Sequence, residues 1–175
     1  MYQYSTMRLR IRSLVLAVLL WSDTAMPASP PASRSGSFHL DLPPAGALLL
    51  FTADGERTWA PGWDPQMLSG DVERGSVFRT RSHGNDVVWI VTAYDKETHS
   101  ASYARLVEGM NMGLVDVTCA AEGDGTRVTV RYTLTPLSEP GERQVAHMLE
   151  ARQYAAFMEE WRQAIAATVR RDDAN

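Results

Sequence analysis

The 175 residues are enough for one domain with a real core and cramped for two. Lys and Arg number 17 against 21 Asp and Glu, but Arg8, Arg10, Arg12 and Arg34 stand in the first 34 residues with one acid, Asp23, so the remainder holds 13 basic and 20 acidic groups, a net charge of −7. That balance argues against nucleic acid or an anionic membrane surface as partner, since both reward a basic face, and the lone Cys119 excludes an internal disulfide.

In chain order, "MRLRIRSLVLAVLLW" sets three arginines before an apolar run from Leu14 to Trp21, followed by the small-residue and proline-rich "SDTAMPASPPASRSG". This is the order of a secretory signal, and eight apolar residues fall short of the roughly 20 that span a bilayer. Residues 1–36 are therefore expected to be a signal peptide or an unstructured leader plus linker. The first reading sends the protein to the periplasm or outside the cell; the second leaves it cytoplasmic. The mature chain then has no integral membrane span. The folded domain is expected over residues 37–171, with 172–175 a disordered tail.

"SFHLDL" (37–42) alternates apolar and polar residues as a half-buried strand does. "PPAGALLLFTADGER" reads as one short amphipathic helix begun by Pro44, with Ala45, Leu48, Leu49 and Thr52 on its apolar face. Then comes "ERTWAPGWDP" (56–65), too broken by Pro61, Gly62 and Pro65 for a regular element and carrying the broad surfaces of Trp59 and Trp63. Five strands follow: "SVFRTR", "DVVWIVTAY", "SASYARLV", "GLVDVTCA" and "TRVTVRYTLT". The turn material between them, including "SHGN" and "EGMNM", has lengths typical of antiparallel hairpins. The last strand sets Val128, Val130, Tyr132 and Leu134 on one face against Arg127, Thr129, Arg131 and Thr133 on the other. From Glu139 to Arg171 the period becomes helical, with Met148, Ala151, Ala155, Met158, Trp161 and Ile165 as the apolar stripe and Ser138 as N-cap. One helix of that extent would run about 45 Å.

The order of elements, together with "GERTWAPGWDP", "VVWIVTAYD", "YARLVEG", "TRVTVRYTLTPLS" and "YAAFMEEWRQAI", resembles the START-like, or SRPBCC, superfamily of polyketide cyclase/dehydrase and lipid-transport-like proteins. The resemblance implies an α+β helix-grip fold: a curved antiparallel sheet wrapped around a long C-terminal helix, with an apolar cavity between them. It also implies a small hydrophobic or amphipathic ligand, lipid- or polyketide-like. The cavity would be bounded by a rim carrying Trp59 and Trp63, by strands carrying Phe78, Trp89, Tyr103 and Tyr132, and by Met158 and Trp161 of the helix. Whether the two rim tryptophans plug the core end or touch the ligand stays open.

Chemical motifs are sparse. His39, His83, His99 and His147 are scattered without metal-ligand spacing, which excludes a recognisable zinc site. No phosphate-binding, dinucleotide-binding or nucleophile-elbow motif is present, so no cofactor is called for. Cys119 shares the apolar side of its strand with Val115 and Val117, as a buried inert thiol does. Glu56 and Arg57 read as a solvated loop pair or as ligand contacts. Strand parity turns either Tyr103 and Arg105 or Ala104 and Leu106 inward; in the first case the guanidinium would meet a ligand carboxylate or carbonyl. The lack of an acid–base cluster favours a binding protein over an aromatase- or cyclase-type enzyme. A third possibility, a chaperone-cofactor-like interaction module, would use exposed apolar residues on the outer sheet face. Oligomeric state is not fixed by the sequence.

Overall fold

The computed structural model describes residues 30–172 apart from residue 83. The signal-peptide or leader reading of residues 1–29, His83 and the tail residues 173–175 lie outside the described residues. Seven strands form one antiparallel sheet: β1 (Ala32–Leu40), β2 (Gln66–Ser69), β3 (Val77–Ser82), β4 (Asn85–Asp95), β5 (Ser100–Val107), β6 (Asn111–Glu122) and β7 (Gly125–Pro136). Their order is β1-β7-β6-β5-β4-β3-β2. Helices α1 (Pro44–Leu49) and α2 (Ala53–Glu56) connect the first two strands, and α3 (Glu139–Met148) and α4 (Ala151–Asp172) end the chain. This is the helix-grip architecture.

Alternation along the strands decides the two faces. Leu134, Tyr132, Val130 and Val128 of β7 point inward beside Val115, Val117 and Cys119 of β6 and Ala101 and Tyr103 of β5, all buried. Outward, Val88 of β4 pairs with Leu106, which pairs with Met112, while Ile90 pairs with Ala104, which pairs with Leu114. Ile90, Met112 and Leu114 are 42%, 51% and 46% exposed, so this part of the outer face is apolar and open. It is the kind of surface on which an interaction module depends.

Four boundaries differ from the sequence reading. The folded part begins at Ala32, not Ser37, because β1 pairs with β7 from Ala32↔Leu134 to Leu40↔Thr126. The ladder fixes that stretch whatever its serine-rich composition suggests, and the serines join it: Ser33 Oγ donates to the Tyr132 carbonyl at 3.1 Å. The stretch from Pro44 is two short helices, since the Thr52 side chain accepts from Gly55 N at 3.0 Å and starts α2 anew. Ala47, Leu48 and Phe51 are buried there, whereas Ala45 and Leu49 are exposed. Strand β2 was not foreseen; it is a four-residue edge strand with an irregular register against β3.

The fourth difference is the break in the terminal helix at Leu149 and Glu150. Ser138 caps α3 as its position predicts, accepting from Gly141 N at 3.1 Å. At the break, Arg34 of β1 donates from Nε to the Leu149 carbonyl at 2.8 Å, and the Glu150 carboxylate accepts from Gln153 N at 2.8 Å. One group closes α3 and the other opens α4. With 22 residues, α4 runs about 33 Å. Its inner stripe is Tyr154, Met158, Ile165 and Thr168, flanked by half-buried Phe157 and Trp161; Ala151 and Ala155 face solvent.

Helix α4 lies close on β1 because residue 36 is glycine. A Cβ there would sit 2.7 Å from Met158 Cγ and 3.0 Å from Tyr154 Cε1, so only a bare backbone admits the two side chains. Tyr154 also donates its hydroxyl to the Val130 carbonyl at 3.0 Å. Met158→Ala is therefore expected to lower unfolding stability by roughly 2–4 kcal/mol, as buried truncations do. Ala155→Ser should change it by under about 0.5 kcal/mol. Chemical denaturation of the two variants checks the assignment, which equal midpoints would refute.

Candidate functional site

The space between the sheet, α3, α4 and the segment from α2 to β2 is a cavity of about 1030 Å³. That lies at the upper end of ligand-binding cavities. Its mouth carries the exposed residues Pro61, Gly62, Arg81, His147, Gln153 and Glu160. Of the nine residues picked from the sequence, Trp59, Trp63, Phe78, Trp89, Tyr103, Arg105, Tyr132 and Trp161 line it. Met158 does not: it shares the helix stripe but is turned onto Gly36 and β1. The periodicity identified a buried stripe without separating the part against β1 from the part facing the cavity, which belongs to Phe157 and Trp161.

Two aromatic groups form the walls. Trp63 meets Phe78 and Trp89 at 6.2 and 5.7 Å between ring centroids, and Phe78 stacks on Trp89 at 5.8 Å with 4° between planes. On the helix side, Trp161 lies 5.2 Å from Trp59, 4.6 Å from Phe157 and 6.2 Å from Phe51. The indole N–H groups are engaged within the protein. Trp59 Nε1 donates to the Leu50 carbonyl at 2.7 Å, Trp63 Nε1 to the Ala53 carbonyl at 2.8 Å and Trp89 Nε1 to Thr80 Oγ1 at 3.0 Å. These three tryptophans thus offer the cavity apolar ring surface only. Trp59, 5% exposed, packs into the core end of the cavity, and Trp63 is half-buried on its wall. Gly62, at φ 76°, makes the bend between them.

The rim is pinned from several sides. Arg57 bonds the Pro65 carbonyl and approaches Asp54 Oδ1 at 3.1 Å and Asp64 Oδ1 at 3.7 Å. Thr168 of α4 donates to the Thr58 carbonyl at 3.1 Å, and Tyr103 donates to the Phe51 carbonyl at 2.8 Å. Arg57 therefore pairs with aspartates of its own loop rather than with Glu56.

Glu56 is instead a cavity residue. Its carboxylate lines the space, has no hydrogen-bond partner among the described residues, and its pKa is raised well above the ordinary 4.5 by desolvation. The sequence left Glu56 as either a solvated loop acid or a ligand contact, since nothing local shows that the last turn of α2 points inward. Strand parity puts Tyr103 and Arg105 inside. The guanidinium lies 5.4 Å from the Trp89 ring centre and its Nη1 stands 4.0 Å from Met148 Sδ, but Nε is buried without a partner. Desolvation lowers its pKa, which the nearby Tyr132 opposes. Tyr132 itself has a pKa raised by burial, and its hydroxyl has no hydrogen bond among the described residues, against the common fate of buried tyrosines. Asn111, placed by composition in a turn, is the first residue of β6, 1% exposed and on the cavity wall. Cys119 is a buried thiol with its pKa pushed up to about 12, which leaves it unreactive. Among the described residues no group of three or more His, Cys, Asp or Glu is placed to hold a metal ion.

The raised pKa of Glu56 has a definite sign in stability. Below about pH 4.5 both folded and unfolded chains are protonated there. Above it the unfolded chain releases a proton that the folded one retains, so stability falls as pH rises towards the folded pKa. Glu56→Gln should remove that decline and raise the unfolding temperature at pH 7–8 by about 3 °C or more, with little change at pH 4. Thermal unfolding of both proteins between pH 4 and 9 measures it; parallel curves would place Glu56 in solvent.

No curated protein matches the chain significantly in sequence. Solved structures share its fold at low identity. Norcoclaurine synthase from Thalictrum flavum superposes with a TM-score of 0.61 at 9% identity, covering 88% of this chain and 98% of its own. Ginseng major latex-like protein 151 from Panax ginseng gives 0.59 at 16%, covering 79% and 97%. Ara h 8.0201 gives 0.60 at 16%, covering 78% and 99%. Residues 32–166 match the family described as polyketide cyclase / dehydrase and lipid transport, a span that starts at the first strand and ends within the last helix. The chain belongs to that polyketide cyclase/dehydrase and lipid-transport family of the START-like superfamily.

Proposed function

We propose that this protein binds one small hydrophobic or amphipathic molecule in the cavity, with the apolar part of the ligand against Trp63, Phe78, Trp89, Phe157 and Trp161 and a polar end towards Arg105. The observation that carries this is the combination of a 1030 Å³ space walled by aromatic faces with a buried guanidinium whose Nε has no partner. An isolated buried charge is costly, and a ligand carboxylate or carbonyl would pair it. The family's lipid-transport and cyclase members support the same class of ligand. Among the described residues no helix is long and apolar enough to cross a membrane.

A second reading, cyclase-type proton transfer on a bound polyketide-like substrate, draws support from Glu56. Sequence reasoning found no acid–base group for the cavity; the fold supplies a carboxyl with a raised pKa, the property a general acid or base needs near neutral pH.

An apolar fluorescent probe such as 8-anilinonaphthalene-1-sulfonate should bind the native protein at about one site and accept energy from tryptophan. Phe157→Ala should weaken that binding more than tenfold while moving the unfolding temperature little, because Phe157 is half-buried on the wall. Arg105→Gln should weaken acid-bearing ligands and spare neutral ones. A native state that takes up no probe would defeat the binding reading.

A further inference from the structure

Arg105 is one member of a polar cluster at one end of the cavity. On the inner sheet face Arg105 lies opposite Gly113, and Asn111 lies opposite Val107, so the two are diagonal neighbours on adjacent strands. Their α3 partners repeat that spacing. Arg105 touches Met148, and Asn111 Nδ2 donates to Gln144 Oε1 at 2.7 Å, residues one helical turn apart with Cβ atoms about 5–6 Å from each other. On the far side of β6, Tyr132 stands opposite Val115, near enough to Arg105 that each influences the other's titration.

The unmet hydrogen-bonding capacity of the cluster has two senses. Arg105 Nε is a buried donor without an acceptor, and Asn111 Oδ1 is a buried acceptor without a donor. Together with the unbonded Tyr132 hydroxyl they are the side chains on the inner sheet wall left to be satisfied by a ligand. A plain carboxylate brings acceptors only and leaves Asn111 Oδ1 bare. A carboxamide brings both senses but no charge for the guanidinium. A carboxylate with a hydroxyl one or two carbons away brings both, at a separation suited to diagonal strand neighbours.

We propose that Arg105, Asn111 and Tyr132 form a head-group site for an amphipathic 2- or 3-hydroxy acid, whose carboxylate accepts from Arg105 and Tyr132 and whose hydroxyl donates to Asn111 Oδ1. This rests on the ligand-binding reading of the cavity and narrows its ligand class. Asn111 is then a specificity residue and Arg105 an affinity residue.

Calorimetric titration of 3-hydroxydodecanoic acid, dodecanoic acid and dodecanamide into the full chain separates the two levels. The hydroxy acid should bind about tenfold more tightly than dodecanoic acid, the effect of pairing one buried acceptor. Dodecanamide should bind most weakly of the three. Asn111→Leu should bring the ratio of the two acids to about one, and Arg105→Gln should weaken both acids alike. The wild-type ranking tests the proposal without any variant, so a misfolded Asn111→Leu would not protect it. Equal, measurable binding of the two acids overturns the head-group site and leaves the cavity reading standing; so does a preference for the amide, or an Asn111→Leu protein that keeps the tenfold ratio. If none of the three binds, both the head-group site and the cavity reading fall.

Discussion

The close approach of α4 to β1 at Gly36 is the contact on which the rest of the structure depends. A curved sheet and a straight helix cannot touch along their whole length, so contact at one edge leaves space at the other. Here the contact is at the β1 edge, where Met158 and Tyr154 fill the room that a side chain at residue 36 would occupy. The space opens over β3 to β6, where Phe78, Trp89, Arg105 and Val115 line it. Interiors pack at crystal-like density, so such a space persists only if rigid elements hold its walls apart. That role falls to the rim: bonds from Trp59, Trp63 and Tyr103 to backbone carbonyls fix the α1–α2 segment, and Thr168 ties the far end of α4 to it.

The same bonds give the cavity its chemical character. Indole and phenol groups are often the polar handles of an aromatic cavity, but Trp59, Trp63, Trp89 and Tyr103 each have theirs satisfied within the protein. The walls are therefore more apolar than their composition suggests. Inside the mouth, the polar groups without a hydrogen-bond partner include the Glu56 carboxylate, Arg105 Nε, Asn111 Oδ1 and the Tyr132 hydroxyl. Leaving a buried polar group unpaired costs on the order of 1–3 kcal/mol. A fold that keeps several of them around one space is less stable than it need be, the usual mark of a site shaped for a ligand rather than for its own packing.

The outer face of the sheet presents a different surface. Ile90, Met112 and Leu114 lie open on strands whose inner residues are buried, so β4 is apolar on both sides. It is the third strand from one edge, and its outer residues are apolar without being covered.

Much of this protein was legible in its sequence because strand and helix periods are local. Strand patterns located six of the seven strands, β1 through its second half, and the parity of "SYARLV" reduced the inward set to two choices. A sustained 3.6-residue pattern marked the terminal helices, and the resemblance carried by the rim and strand motifs gave the helix-grip fold and nine candidate residues, eight of which lie on the cavity wall. Tertiary structure alone decided what depends on partners distant in sequence. Pairing with β7 made a strand of a serine-rich stretch, and Arg34 helped divide the terminal helix at Leu149. The approach to Gly36 turned Met158 away from the cavity, and the inward turn of α2 brought Glu56 into it. Burial of Asn111 made a turn-forming residue into a wall group. Each of these rests on contacts between residues far apart in the chain, whose geometry no local pattern encodes.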